Sequence, residues 1–536
     1  MNTAMAPTDN FQQALALLES GQTARAQAAY EEILKKQPRH ADALHLLGLI
    51  AAQSNDPKKA AVLIGKAIHI DPSNPVAYLN RGAVLQQLEQ WEEALACYEH
   101  ALTLHPSFAA VYFNRGNALQ SLQRLDEALA SYNQAIAIQP DYHDAWLNRG
   151  NLLVRLKQWD GALASYNRAI VLRADSVVAH ANRGNVLKEL SRLDEARASY
   201  DRAIAIQPDY PEAHTNRAVA SLLAGELERG WTDFEWRWKI KYTANSREKH
   251  RSFRQPLWLG QESLAGKTIL LHSEQGLGDT LQFCRYVPLV ADLGAKVILE
   301  VQKPLLGVLA GLEGVSQWVG QGVDPGVRRE VRKGSAAPET DYHCPLLSLP
   351  LAFKTRLDTI PSPARYLRGA ADKVSHWQAK LGAASTPRIG LAWSGGTHRP
   401  EDNRRIPLAD LIRHLPQGFQ YVSLQKELPE SERQTLRSNP AVLDFADDLD
   451  FDNTAALCEC LDMVISIDTS VAHLSGALGK RTWILLAFNP DWRWLLGRTD
   501  SPWYPSVTLY RQESIGDWNG VLSRVAADLQ RTVAST

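Results

Sequence analysis

The stretch of sequence that decides the fold reads Met463-Val-Ile-Ser-Ile-Asp468-Thr-Ser-Val-Ala-His473-Leu-Ser-Gly-Ala-Leu-Gly479-Lys480. Its first five residues are apolar or β-branched and predict a buried strand that ends before Asp468. The residues from Asp468 to Ser470 can cap a following helix, and Gly479 can end it. A second apolar run, from Thr482 to Phe488, predicts another strand. The stretch therefore predicts a strand–helix–strand unit of a parallel α/β sheet.

The amino end of this predicted helix is a candidate anion site. Its free backbone N–H groups stand at the carboxyl end of a strand, where open α/β sheets bind ligands. The hydroxyls of Thr469 and Ser470 and the imidazole of His473 could add hydrogen bonds to the same anion. We interpret this end as a cradle for a diphosphate, although the pattern fits a purely structural strand-to-helix turn equally well.

Composition narrows the class of protein. The chain of 536 residues is long enough for roughly three domains, and its 45% hydrophobic and 22% charged content is typical of soluble globular proteins. The net charge of -1 supplies no overall field that would attract nucleic acid. No run approaches the ~18 apolar residues of a membrane span, and five scattered cysteines suit a reducing compartment. We expect a cytoplasmic protein without nucleic-acid or membrane partners.

Residues 7–244 repeat with a period of 34. Glycines such as Gly82 and Gly116, and tyrosines such as Tyr98 and Tyr132, recur at this interval. Small residues let two helices approach closely, tyrosines fill the seam between them, and prolines end the second helix. Period and residue types resemble the tetratricopeptide family, which implies a helical solenoid of about seven units.

A column of amides runs through this array. Its members are Asn80, Asn114, Asn148, Asn182 and Asn216, and each is followed by an arginine, namely Arg81, Arg115, Arg149, Arg183 and Arg217. An amide donates and accepts at once, as holding an extended peptide requires. The column resembles the one that lines the superhelix of eukaryotic O-linked N-acetylglucosamine transferases, and this resemblance implies a protein or peptide acceptor in the repeat groove. The alternative is that the amides bridge neighbouring repeats.

The array is expected to end in a cap and a connector. Trp231, Trp236 and Trp238 follow one another at helical spacing, which favours a hydrophobic cap over a ligand-binding box. The polar and basic stretch that follows predicts a surface connector over 245–264.

The first α/β half is predicted over 265–370. Lys267–His272 predicts a strand, and a glycine-bearing loop then opens a helix from Thr280 to Leu293. The pair Gly276-x-Gly278 lacks a third glycine and is a weak dinucleotide fingerprint. The loop instead supplies Asp279, a carboxylate at a helix N-terminus, where we expect a lowered pKa and an ionised proton acceptor. A simple helix cap is the alternative.

The second half is predicted over 385–520, followed by a C-terminal helix over 521–536. A strand from Arg388 to Trp393 leads into a tight turn whose N–H groups could converge on an anion. Its residues are Ser394, Gly395 and Gly396, and further basic candidates at nearby strand ends are Arg404, Arg405 and Lys426. Polar and basic residues thus gather at one edge of the predicted sheet.

Three motifs together resemble the heptosyltransferase-type glycosyltransferases of family nine: Gly278-Asp279, Trp393-Ser-Gly-Gly396 and Asp468-Thr-Ser-x-x-His473. The resemblance covers roughly 265–515 and implies a GT-B fold of two Rossmann-like domains, with the acceptor in the first and a nucleotide-sugar donor in the second. The expected fold class is therefore α + α/β, a tetratricopeptide solenoid followed by a GT-B module.

The same resemblance implies roles for individual residues. Asp279 is expected to be the general base, and the donor diphosphate is expected to contact Asp468, Thr469, Ser470, His473, the Ser394–Gly396 turn and a basic residue among Arg404, Arg405 and Lys426. It also implies an inverting reaction without a metal or other cofactor, in which the nucleotide-diphosphate sugar is a co-substrate.

The expected function is the transfer of a sugar to an acceptor hydroxyl on a protein or peptide bound by the repeats. Two alternatives stay open: an enzyme acting on a glycan or lipid-linked acceptor, and a repeat scaffold whose transferase half is inert. The aromatic residues Trp492, Trp494, Trp503 and Tyr504 either stack on a ligand or pack in the core.

Overall fold

Residues 7–240, 253–321, 340–396 and 403–534 are described by the computed structural model. The first part of the predicted connector, 245–252, lies outside the described residues. The chain divides into two compact units, Met1–Leu190 with Ala205–Pro208, and Ser191–Ile204 with Asp209–Thr536.

Helices in consecutive pairs make up the N-terminal region, fourteen of them within the described residues 7–234. They are α1 (Pro7–Glu19), α2 (Thr23–Lys36), α3 (Ala41–Gln53), α4 (Pro57–Ile70), α5 (Pro75–Gln87), α6 (Trp91–Leu104), α7 (Ala109–Ser121), α8 (Leu125–Ile138), α9 (His143–Arg155), α10 (Trp159–Leu172), α11 (Val177–Glu189), α12 (Leu193–Ile206), α13 (Pro211–Leu223) and α14 (Leu227–Phe234). The predicted helical solenoid is confirmed.

The seam inside each pair explains the period. A Cβ atom on Gly116 would lie 2.6 Å from Cε1 of Tyr132, so only glycine lets α7 and α8 approach this closely. The Tyr132 ring is fully buried, and its hydroxyl donates to Asn117 Oδ1 at 2.7 Å. Small residue and tyrosine are therefore parts of one contact, which recurs at Gly82 with Tyr98 and at Gly150 with Tyr166.

The described part of the C-terminal region contains two parallel sheets. The first has the order β3-β2-β1-β4 and the second the order β10-β9-β8-β5-β6-β7. The strands are β1 (Thr268–His272), β2 (Lys296–Gln302), β3 (Val315–Gln321), β4 (Tyr342–Pro345), β5 (Arg388–Ala392), β6 (Gln420–Ser423), β7 (Val442–Leu443), β8 (Met463–Ile467), β9 (Thr482–Leu486) and β10 (Val507–Arg511). The predicted parallel α/β region is confirmed.

Helices flank both sheets. They are α15 (Leu277–Phe283), α16 (Val287–Asp292), α17 (Leu306–Leu309), α18 (Leu349–Ala352), α19 (Ala371–Leu381), α20 (Leu408–His414), α21 (Glu430–Arg437), α22 (Phe451–Glu459), α23 (Ser470–Ala477) and α24 (Trp518–Ala534). Short 3-10 helices add Glu235–Lys239, Cys284–Tyr286, Lys303–Leu305, Leu346–Ser348, Leu357–Thr359, Ala446–Asp448 and Trp492–Trp494.

The core of the second sheet lies beneath the decisive stretch. All five residues of β8 are buried, and Ile465 and Ile467 pack in one cluster with Ile389, Trp483 and residues of α24. A strand buried on both faces needs a continuous apolar run, as the sequence has there. None of the helices among the described residues combines the length and the apolar character needed to cross a membrane.

The helix predicted from Thr280 to Leu293 differs from the one observed. It begins at Leu277, three residues earlier, and a 3-10 turn at Cys284–Tyr286 separates α15 from α16. Pro288 lies in the first turn of α16, where its missing N–H and fixed φ suit a helix start rather than a helix interior.

The last repeat belongs to the second unit. Trp231 of α14 is 2% exposed, its ring meets that of Trp492 edge-on at 5.3 Å, and its indole N–H donates to the Thr355 carbonyl at 2.9 Å. Arg237 forms a bidentate ion pair with Glu274, both distances being 2.9 Å, in the loop that follows β1. Trp231 thus serves as a hydrophobic cap, and it joins this repeat to the α/β region.

Candidate functional site

Two short helices bring the predicted site together. α15 follows β1 and α23 follows β8, so each begins at the carboxyl end of a strand in a different sheet. Their first turns touch, because a Cβ on Gly278 would lie 2.8 Å from Cδ2 of His473 and 3.5 Å from Cα of Ser470. The glycine of the Gly278-Asp279 motif therefore permits the close approach of the two helices.

Asp279 is held at the start of α15 by two partners. Its Oδ2 accepts a hydrogen bond from the Gly276 backbone N–H at 2.7 Å, and its Oδ1 accepts one from Nη2 of Arg493. Burial raises the pKa of Asp279 above its ordinary value, although the Arg493 charge opposes this shift. The expectation that the helix end lowers this pKa was wrong, because loss of water around the carboxylate outweighs the helix dipole and the arginine.

Arg493 is the centre of the cluster. It lies in the 3-10 helix after β9, is 6% exposed, and donates from Nη1 to Asp491 Oδ1 at 2.7 Å while Nη2 pairs with Asp279. Burial opposes its charge, but Asp491 and Asp279 outweigh burial and raise its pKa. Its guanidinium also lies over the Trp492 ring, 4.3 Å from the centroid.

In the sequence this segment stands out for its aromatic residues, and neither Arg493 nor Asp491 is among the predicted site residues. A signal was present: β9 is the neighbour of β8, so the charged residues that follow β9 reach the same sheet edge. Trp492 and Trp494 are 4% and 0% exposed, which supports core packing for these two rings.

Asp468 directly follows β8 and carries a buried carboxylate. Burial and the Asp491 charge together raise its pKa to about 6, and the Arg404 charge opposes the shift. Nη1 of Arg404 donates to the Asp468 backbone carbonyl at 3.0 Å and lies 3.9 Å from its Oδ2. The structure thus brings Asp468, Arg404 and the Arg493 cluster to one place.

His473 is buried one turn into α23. Its Nδ1 lies 2.9 Å from the Tyr504 hydroxyl, its ring stacks on Trp494 at 5.3 Å, and its Nε2 lies 3.8 Å from Asp468 Oδ1. Burial lowers the pKa of His473 well below its ordinary value, and the nearby arginines lower it further. The imidazole is therefore neutral near pH 7 and acts as a hydrogen-bonding group rather than a cation.

The start of α23 differs in detail from the expected cap. Thr469 is the N-cap residue, but no side chain among the described residues caps the helix. The Thr469 hydroxyl lies 3.2 Å from that of Ser466, and both Thr469 and Ser470 are half-buried. Uncapped N–H groups in the first turn of a helix are the groups that an anion can satisfy.

The other predicted donor-binding residues do not all gather here. The Ser394 backbone N–H donates to Gln425 Oε1 at 3.3 Å, so it is already engaged in the protein. Gly395 is half-buried and Gly396 exposed, and the residues that follow, 397–402, lie outside the described ranges. Arg405 pairs with Glu432 at 2.5 Å, and Lys426 is exposed.

The amide column makes contacts inside the array. Asn148 Nδ2 donates to Asn117 Oδ1 of the preceding repeat at 2.9 Å, and Asn182 Nδ2 donates to Asn151 Oδ1 at the same distance. The remaining contacts are Asn80 Nδ2 with His45 Nε2 at 2.9 Å and Asn114 Nδ2 with the Ala110 carbonyl at 2.8 Å, and Asn216 is half-buried. Bridging between repeats, the alternative interpretation, thus occurs at three of the five positions, and each amide keeps further hydrogen-bonding capacity.

Among the described residues, His, Cys, Asp and Glu side chains form no group of three or more placed to hold a metal ion.

Comparison with protein families identifies the repeats. Models described as tetratricopeptide repeat match residues 11–75, 75–108 and 97–130, and a model described as TPR repeat matches 116–157, 150–191 and 184–225. The N-terminal region therefore consists of tetratricopeptide repeats, and it provides a surface for protein or peptide interaction.

Individual relatives match only parts of the chain. Protein FlbA of Caulobacter vibrioides is 28% identical over 338 residues, which are 59% of this chain and 55% of FlbA. The chain thus spans about half the length of FlbA. Among solved structures, YrrB, described as a TPR protein with an unusual peptide-binding site, is 23% identical over 34% of this chain and 95% of YrrB, with a TM-score of 0.31. PilF of Pseudomonas aeruginosa is 20% identical over 40% of this chain and 96% of that structure, with a TM-score of 0.36.

Proposed function

We propose that the chain is a glycosyltransferase of GT-B type that moves a sugar from a nucleotide-diphosphate sugar to a hydroxyl of a protein or peptide acceptor held by the repeats. One observation carries the proposal: the first turns of α15 and α23 touch, which places Asp279 and Asp468 around a single buried arginine. An acid–base group beside an uncapped helix start is the pairing that transfer to a hydroxyl with a diphosphate leaving group requires.

Each residue of the cluster has a part in the proposed reaction. The acceptor oxygen bonds to the anomeric carbon, the bond from that carbon to the diphosphate breaks, and Asp279 takes the acceptor proton. A carboxylate whose pKa is raised by burial is a stronger base than an exposed aspartate, and each Asp279 oxygen keeps a lone pair beside its present hydrogen bond.

The diphosphate leaves with the electron pair towards the first turn of α23. In this proposal the N–H groups after Thr469 and the guanidinium of Arg404, 35% exposed, receive its charge. Arg493 holds Asp279 in position and supplies a second positive charge beside the leaving group. His473, neutral and bonded to Tyr504, sets the orientation of the α23 turn.

Asp279→Asn tests the chemistry. The amide has the same shape but does not accept a proton, so we expect turnover to fall at least ~100-fold, the lower end for loss of a general base. Binding of the donor should change by no more than about threefold, since the diphosphate contacts are retained. The measurement is release of nucleoside diphosphate from a panel of nucleotide sugars, with calorimetric titration for binding.

Asp372→Asn is the matched control, because it removes an exposed carboxylate from the first turn of α19, outside the cluster. Unchanged turnover in Asp279→Asn would overturn the role of that residue. If the wild-type chain turns over no nucleotide sugar and binds none, the scaffold interpretation replaces the enzyme.

The acceptor requires a separate test. Replacing Asn114, Asn148 and Asn182 together by alanine should weaken binding of a protein acceptor and leave slow hydrolysis of the donor unchanged, because the substitutions lie in the repeats. Unchanged acceptor affinity would favour a glycan or lipid-linked acceptor instead. The catalytic proposal would survive that result.

A further inference from the structure

The arginines that follow the amide column are held by partners 16 residues away on either side. Arg149 shows the pattern: its Nε donates to Asn133 Oδ1 at 2.7 Å and its Nη1 to Ser165 Oγ at 2.6 Å. Arg217 pairs in the same way with Asp201 and Asp233, both at 2.6 Å. The second helix of the preceding repeat and that of the arginine's own repeat thus each supply one acceptor.

Arg81 is the exception in this column. The positions 16 residues before and after it hold Gly65 and Cys97, which offer no side-chain oxygen acceptor. Its guanidinium still occupies the usual place, because a Cβ on Gly65 would lie 3.6 Å from Arg81 Nε and 3.8 Å from Nη2. The buried Nε has no hydrogen-bond partner among the described residues. A buried N–H group without an acceptor costs free energy, so a ligand that accepts its hydrogen bond binds more tightly.

A groove of about 730 Å³ opens at this arginine between α4, α5 and α6. Arg39, Lys66 and Arg81 line it, with Glu93 as the acidic residue of the lining. His69 and Gln90 also line the groove, and much of the remaining wall is apolar: Pro38, Leu44, Ala61, Val62, Ile70 and Leu85. The groove is therefore positively charged and partly apolar, and Val62 is 57% exposed.

We propose that this groove binds an acidic segment of a partner protein, with one carboxylate of the segment pairing with Arg81. A carboxylate accepts two parallel N–H bonds from a guanidinium and takes the place of the side-chain acceptors that the neighbouring repeats supply. Lys66 and Arg39 attract the remaining negative charge of the segment. The apolar wall fits aliphatic side chains beside the acidic ones, and a free inorganic anion has no group to place there.

The test uses the full chain and two fluorescein-labelled octapeptides, one with alternating Glu and Leu and one with alternating Gln and Leu. Fluorescence anisotropy measures the binding of each peptide at low ionic strength and at about 0.5 M salt. At the higher concentration, screening limits electrostatic attraction to a few ångströms. We expect the acidic peptide to bind, the Gln peptide to bind at least about tenfold more weakly, and salt to weaken the acidic complex.

The decisive variant is Gly65→Asn with Cys97→Ser, which gives Arg81 the acceptors that Asn133 and Ser165 give Arg149. Net charge does not change, and a Cβ atom at Gly65 makes only ordinary van der Waals contact with Arg81. We expect acidic-peptide affinity to fall on the order of tenfold because Arg81 is then satisfied within the array.

Two further variants form a matched pair on one helix. Lys66→Gln removes a cation that lines the groove, whereas Lys58→Gln removes an exposed cation of α4 outside it. Only the first should weaken the peptide. Circular dichroism and melting curves establish folding, and Arg81→Gln replaces the double variant if that variant does not fold.

Equal binding of the Glu and Gln peptides would overturn the proposal, as would an unchanged affinity in the double variant. Inorganic phosphate is the remaining probe. If phosphate binds in an Arg81-dependent way and the acidic peptide does not, the groove is a small-anion site and the proposed partner is wrong.

Discussion

The contacts inside the repeats and the cluster around Arg493 differ in sequence range, in charge and in how often they occur. A seam such as Gly116–Tyr132 joins residues 16 positions apart, involves no charge, and recurs in the next repeat with Gly150 and Tyr166. The cluster joins Asp279 to Arg493 across 214 residues and contains buried charges that occur once. The repeats thus distribute stability over equivalent contacts, whereas the cluster concentrates buried charge in a few residues that also carry the proposed chemistry.

Arg493→Met should have the largest effect, because it leaves the largely buried Asp279 carboxylate without its cation. Removing one partner of a buried ion pair typically lowers the free energy of unfolding by about 3–5 kcal/mol. The matched variant in the repeats is Arg149→Met, which breaks hydrogen bonds to neutral partners and should lower it by about 1 kcal/mol. Urea unfolding measures both values, and hydrogen exchange locates the loss.

Equal losses of unfolding free energy in the two variants would contradict the contrast between the cluster of buried charges and the contacts of the repeats. Hydrogen exchange should increase around α15 and α23 in Arg493→Met, and around α8 to α10 in Arg149→Met.

Gly116→Ala should have the next largest effect. The new methyl group meets the buried Tyr132 ring at 2.6 Å, and overpacking of this kind lowers the free energy of unfolding by about 1–3 kcal/mol. Gly161→Ala is the control inside α10, where the nearest atom is a mobile Leu153 methyl group at 3.2 Å. At that position the better helix propensity of alanine should offset the free-energy cost of the close contact. Comparable destabilisation by both substitutions would show that the ring does not set the helix spacing.

The raised pKa of Asp468 should have a smaller effect on stability, and this effect depends on pH. Its pKa is about 6 in the folded protein, against about 3.9 for an unfolded aspartate. The folded state therefore binds the proton more tightly, and this contribution to stability grows as the pH falls from 6 towards 4 and is lost as the pH rises through 6.

The comparison is with Asp468→Asn, which cannot titrate. The free energy of unfolding of the wild type, relative to this variant, should be higher at pH 4.5 than at pH 7 by on the order of 1 kcal/mol. Asp372→Asn provides the control for general effects of pH. A difference that stays constant, or that grows towards pH 7, would contradict the assigned environment of Asp468.

Sequence patterns predicted the repeats well because each contact is local and recurs. They also predicted Asp279, Asp468 and His473 as site residues, since these lie in or just before the first turn of a helix that follows a strand, and the fold brings the two helix starts together. Arg404 was one of several basic candidates, and only the folded chain separates it from Arg405, which pairs with Glu432, and from the exposed Lys426. Arg493 was not predicted, because its partner Asp279 lies in a distant part of the chain. The predicted shift in the pKa of Asp279 was wrong in direction, because the sequence shows the position of a residue at a helix start but does not show its burial.

The sequence by itself determined that helices pair at a period of 34, that parallel sheets follow, and that polar residues collect at strand ends. Only the tertiary structure decided that α15 and α23 touch, that Arg493 holds Asp279, and that Arg81 lies beside Gly65 and lines a groove. The physical reason is range. Periodicity and propensity act between neighbours along the chain, whereas the free energy of a buried charge depends on every group that the fold brings within a few ångströms of it.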